Sequence, residues 1–226
     1  MKKSVIFFSF FILIAVAGIF YGNSISSQFT GLRLWNFENV ALLLIGLPFI
    51  FFQRNAGLPE VWNNEHPLAS RLSKPLLIGL LFGIADLFVI EYCLTQTAHT
   101  SLPPYTQPFP YSIFLYSSGA FEIEIFYRLI PITLVLLIFS KIKQGIYQPQ
   151  AFIVIAILTS LREPIEQLPT GAGWFIAYSL ITGFAMNLLQ AIYYKRYGWS
   201  SSLFIRLGHY LIWHILNGIY IQYFVL

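Results

Sequence analysis

Ser4 to Gly22 read SVIFFSFFILIAVAGIFYG, an uncharged run that follows directly on Lys2 and Lys3. At about 1.5 Å of rise per residue, such a run crosses the roughly 30 Å hydrocarbon layer of a bilayer as one α-helix. Six more apolar runs follow, at 33–53, 75–96, 111–140, 149–168, 171–193 and 200–226. The expected fold is therefore all-α, a polytopic membrane helical bundle of about seven transmembrane helices in a single transmembrane domain, 1–226. Composition points the same way. The chain is 57% hydrophobic and 10% charged, with mean hydropathy +0.70, where a soluble domain carries about 25% charged residues. Disorder, coiled coil and collagen-like repeats need polar or low-complexity sequence and are excluded. The lone Cys93 forms no internal disulfide and reads as a small hydrophobe.

The second run is the weakest, interrupted by Asn36, Glu38 and Asn39. The fourth is long enough to tilt and project beyond the lipid, or to break near Pro131. Ala15-Val16-Ala17 resembles a small-residue cleavage site, so a signal peptide competes with a retained first helix. The basic residues favour retention. With all seven spans counted, Lys2, Lys3, Arg54, Arg71, Lys74, Lys141, Lys143, Lys195 and Arg196 fall on one side, and only Arg33 falls on the other. The positive-inside rule then places the amino terminus in the cytoplasm and the carboxyl terminus outside, in an integral membrane protein of bacterial plasma-membrane type. The proline-rich stretch 97–110 reads as a stiff external connection.

From the third run onward nine acidic and arginine residues fall inside the apolar sequence: Asp86, Glu91, Glu122, Glu124, Glu163, Glu166, Arg128, Arg162 and Arg206. Each costs about 2.5–3.5 kcal/mol at a helix centre on insertion scales, so such groups should face the bundle interior and be paired, protonated or functional. Glu124 and Arg128 are four apart and share a helical face, which predicts a buried ion pair, while Glu122 points elsewhere. Glu163 and Glu166 are three apart, and Arg162 reaches Glu166 at four, giving a second charged cluster at the external membrane edge. In the last run Arg206 shares a face with His209, and His214 shares one with Asn217. The two histidines, five apart, diverge by about 140° on an ideal helix.

The order of these groups resembles the CAAX prenyl protease and bacteriocin-processing family of intramembrane glutamate proteases. That family carries EExxxR on one span, FxxxH on the next and HxxxN or HxxxD on a later one. Aligned on Arg128, Glu124 matches the second glutamate and Ile123 replaces the first, with Glu122 displaced by one residue. The fifth run has Ser160, Glu163 or Glu166 where a histidine belongs. His214 is followed by Asn217 one residue early, and His209 has Trp213 at the asparagine position. The resemblance covers roughly 111–226, the core site region. It implies a peptidase in which a glutamate and a histidine activate water while a late pair stabilises the oxyanion. Glu124 lies about 20 Å and His214 about 18 Å from the external ends of their runs by helical rise, so the two are expected to meet. Glu124 is the expected base with His214 assisting. Glu122 and His209 are further catalytic candidates, and Arg128, Glu163, Glu166, Arg206 and Asn217 are supporting residues.

The substrate implied is a membrane-bound peptide, prenylated tail or leader, and no cofactor is expected. Zinc on two histidines and a carboxylate is the variant kept in view. A rival class is a non-catalytic membrane protein, either a proton- or cation-coupled carrier or a partner-binding subunit. The surplus of carboxylates, Asp86 and Glu91 among them, favours it. The chain has no P-loop, GxGxxG, HExxH or CxxC, and no basic patch with interleaved aromatics that would bind nucleic acid.

Overall fold

A computed structural model of the chain describes residues 2–29, 31–61, 65–94 and 99–226. Among them every regular element is helical. All seven apolar runs contain helix, in the order α1 (Lys2–Ile25), α2 (Phe37–Leu44), α3 (Leu47–Phe52), α4 (Ala69–Cys93), α5 (111–141), α6 (Gln148–Gln167), α7 (Gly173–Tyr197) and α8 (199–225). Four stretches are long and apolar enough to cross a membrane: Lys2–Ile25, Ala69–Cys93, Tyr111–Gly145 and Gly173–Tyr197. Residues 95 and 96, the end of the third expected run, lie outside the described residues.

The polar residues that interrupt the second run form a helix cap. Asn36 Oδ1 accepts from the Asn39 backbone N–H at 3.1 Å, and Asn39 Oδ1 accepts from the Asn36 N–H at 2.9 Å. The run therefore starts only at Phe37 and divides at Gly46 into two short helices. α5 passes Pro131 without breaking, because Ile125–Leu129 form one wide turn of π-helical hydrogen bonding immediately before it. Similar wide turns occur at Leu211–Leu216 and Ile221–Val225 in α8.

Aromatic packing ties α1 to the bundle. Phe11 stacks on Phe121 at 4.9 Å between centroids, Phe8 meets the same ring edge-on, and Trp199 closes the cluster. α4 packs along α8 through glycine. A Cβ built at Gly79 would lie 1.9 Å from the Ile205 carbonyl oxygen, and one at Gly208 would lie 2.3 Å from that of Leu76. The two backbones approach this closely only because neither position carries a side chain. On the opposite face of α4, Leu77, Leu81, Ile84 and Phe88 are exposed.

Candidate functional site

Several charged side chains of the runs gather at a polar cavity and in a buried network that forms part of its wall. The cavity holds about 340 Å³ between α4, α6, α7 and α8. Its walls include Asp86 of α4, Glu163 of α6, Tyr178 and Asn187 of α7, and Arg206, His209 and His214 of α8.

Gly79, Gly83 and Asp86 recur at the four- and three-residue spacing of one helical face, so the glycine contact that seats α4 on α8 also aims Asp86 at α8. His209 Nε2 meets Asp86 Oδ2 at 2.7 Å. Tyr178 donates its hydroxyl to Asp86 Oδ1 at 2.8 Å. One carboxylate thus joins three helices. Its side chain is still 25% exposed, and a carboxylate with one donor on each oxygen retains free acceptor sites.

His214 stands on the same cavity. Its ring stacks on Tyr116 at 4.1 Å with 5° between planes, and Tyr210 packs edge-on against it at 4.6 Å. Nδ1 lies 2.5 Å from the Tyr105 carbonyl oxygen. A carbonyl only accepts, so Nδ1 must carry the hydrogen, and in the neutral ring Nε2 keeps the lone pair. Among the described residues no hydrogen bond occupies that Nε2. The expected 140° divergence of the two histidines does not separate them. Between them the chain passes from regular α-helix into the wide turn at 211–216, whose larger number of residues per turn narrows the angle between positions five apart.

Behind the cavity, Arg206 grips both oxygens of Glu163, at 2.7 and 2.6 Å, and also donates to Asn187 Oδ1 and Gln190 Oε1, each at 3.0 Å. Arg128 donates to the same two amides, to Asn187 Oδ1 at short range and to Gln190 Oε1 at 3.3 Å. Two buried arginines therefore share two amide oxygens. The network fixes the mutual positions of α5, α6, α7 and α8.

The Glu124–Arg128 ion pair expected from four-residue spacing is not formed. The wide turn at 125–129 removes the superposition that the spacing assumed. Pro131 has no N–H, so the Tyr127 carbonyl four residues earlier is free, and Arg128 Nη1 takes it at 2.8 Å. Glu124 is fully buried, makes no direct ion pair among the described residues, and is not among the residues lining the cavity. Glu122 is half-buried and also stands apart from the cavity. The expected cluster on α6 splits. Glu163 turns inward to Arg206, whereas Glu166 stays exposed, bonded to Arg162 at 2.7 Å and to the Tyr127 hydroxyl. Asn217 is buried, its Nδ2 has no partner among the described residues, and it is not part of the cavity walls.

The structure thus brings His209, His214, Glu163 and Arg206 together and leaves Glu124, Glu122, Glu166 and Asn217 outside. Asp86, Tyr178 and the Tyr105 carbonyl complete the site without having been candidates for it. Asp86 carried a readable signal, an acid in register with Gly79 and Gly83, but the two tyrosines carried none. Among the described residues no group of three or more His, Cys, Asp or Glu side chains is placed to hold a metal ion. No family model, curated protein or solved structure matches this chain.

Proposed function

We propose that the chain is an integral membrane protein of seven spans with a cytoplasmic amino terminus, and that its polar cavity hydrolyses a membrane-bound peptide. The outward faces support the membrane setting. Leu77, Leu81, Ile84 and Phe88 on α4 and Ile6, Phe10, Leu13 and Phe20 on α1 are exposed along their helices, a surface that lipid solvates and water does not.

The observation that carries the hydrolytic reading is the pairing of an acid with two imidazoles on one cavity. Asp86 and His209 lie in direct contact, and the Nε2 of His214 has no hydrogen-bond partner among the described residues. In this reading the tautomer fixed by the Tyr105 carbonyl makes His214 Nε2 the base that takes a proton from water. Asp86 holds the water from the α4 side through its free lone pairs. The Glu163–Arg206 pair fixes the wall behind them, and Glu124 has no direct part.

In proteoliposomes containing a quenched fluorescent transmembrane peptide pool, wild-type protein should release fluorescence and His214→Ala should not. Equal release by both would overturn the reading. A second reading, a proton-coupled carrier, is favoured by Asp86 bridging α4, α7 and α8, since a carboxylate holding three helices would couple protonation to their relative movement. It predicts proton flux into the same liposomes without cleavage.

A further inference from the structure

A second concavity lies on the opposite face of α6, between α5 and α6, and holds about 360 Å³. Val135 and Phe139 form one wall, and Ala151, Val154 and Leu158 form the other. Val154 and Leu158 are more than half exposed, so the groove opens outward from the bundle. Its polar side chains, Tyr147 and Gln150, both sit at the amino-terminal end of α6. From Gln150 to Leu158 the helix rises about 12 Å, so the groove has one polar end and a long apolar body.

A cation stands at the polar end. Lys143 Nζ lies 5.6 Å from the centre of the Tyr147 ring. The turn that presents it holds Lys143 at φ 43° and Gln144 at φ 56°, a left-handed conformation unusual outside glycine. Lys141, the last residue of α5, is exposed just before this turn. This is also the loop that the distribution of basic residues places on the cytoplasmic side.

We propose that this groove binds an anionic phospholipid, with one acyl chain along Val135, Phe139, Val154 and Leu158 and the phosphate against Lys143. The length and apolarity of the body select a hydrocarbon chain, and the ammonium beside an interfacial tyrosine selects negative charge in the headgroup. The proposal rests on the membrane setting and not on the chemistry of the polar cavity.

Native mass spectrometry of the full chain released from nanodiscs of mixed phosphatidylglycerol and phosphatidylcholine tests it. Wild type should retain phosphatidylglycerol about fivefold over phosphatidylcholine, the worth of one basic side chain at an anionic surface. Lys143→Ala should abolish that preference. Val154→Trp, which fills the groove from an exposed position, should lose the retained lipid of either kind, and Leu158→Trp should do the same if the first variant fails to fold. Equal retention of both headgroups by wild type, or undiminished retention by a folded groove-filling variant, would overturn the proposal. Either result leaves peptide cleavage in the cavity untouched, so the two readings fail separately.

Discussion

Asp86 and His209 meet at 2.7 Å across two helices that touch through bare backbone. Their contact follows from glycine. Gly79 and Gly208 remove the side chains that would hold α4 and α8 apart, and Asp86 lies on the same face of α4 as Gly79. Placing a carboxylate against an imidazole inside an apolar bundle removes most of each from water, which is tolerable only where each finds a partner. The glycine seam is thus a requirement of the polar site as well as a packing device.

Gly79→Ala should destabilise the fold by about 1–3 kcal/mol, the usual cost of overpacking, because the added methyl meets a backbone oxygen that cannot rotate away. Unfolding in mixed detergent and dodecyl sulfate measures it. An alanine variant as stable as wild type would show that α4 and α8 are not in backbone contact.

The two ion pairs of α6 should behave oppositely. Arg206→Leu strands Glu163 in a buried setting and should cost about 3–5 kcal/mol, whereas Arg162→Ala removes a pair whose side chains are each 49% exposed and should cost about 0–1 kcal/mol. The double variant Glu163→Leu/Arg206→Leu should be less destabilised than the sum of its singles. The same unfolding assay separates these outcomes. Comparable losses for Arg206→Leu and Arg162→Ala would show that the cavity wall is hydrated.

Helicity was legible because apolar runs this long admit few other structures, and helix falls in each of the seven. The site was legible only in part. His209, His214, Arg206 and Glu163 stood out as polar groups in apolar sequence. Their partners did not, because spacing rules assume an unbroken α-helix, and this chain departs from it at Ile125–Leu129 and Leu211–Leu216. The first departure accompanies the loss of direct contact between Glu124 and Arg128, and the second lies where both histidines reach one cavity. Tyr178 and Tyr105 lie on other segments, and no local pattern encodes a contact made across 92 or 109 residues.

Topology is open to direct measurement. A reporter fused after Gln144 should read cytoplasmic and one fused after Leu226 external, because the proposed seven spans would put nine basic residues on one side and Arg33 alone on the other. A cytoplasmic carboxyl terminus would remove one span and invert the leaflet assigned to Lys143.

The central claim is that the reactive acid is the one in the cavity, Asp86, and not the sealed Glu124. The most direct measurement compares Asp86→Asn and Glu124→Gln in the proteoliposome cleavage assay, with folding of each verified by monodisperse elution. The account predicts that Asp86→Asn loses cleavage to the level of His214→Ala while Glu124→Gln retains it. Loss of cleavage in folded Glu124→Gln together with full cleavage by Asp86→Asn would contradict it.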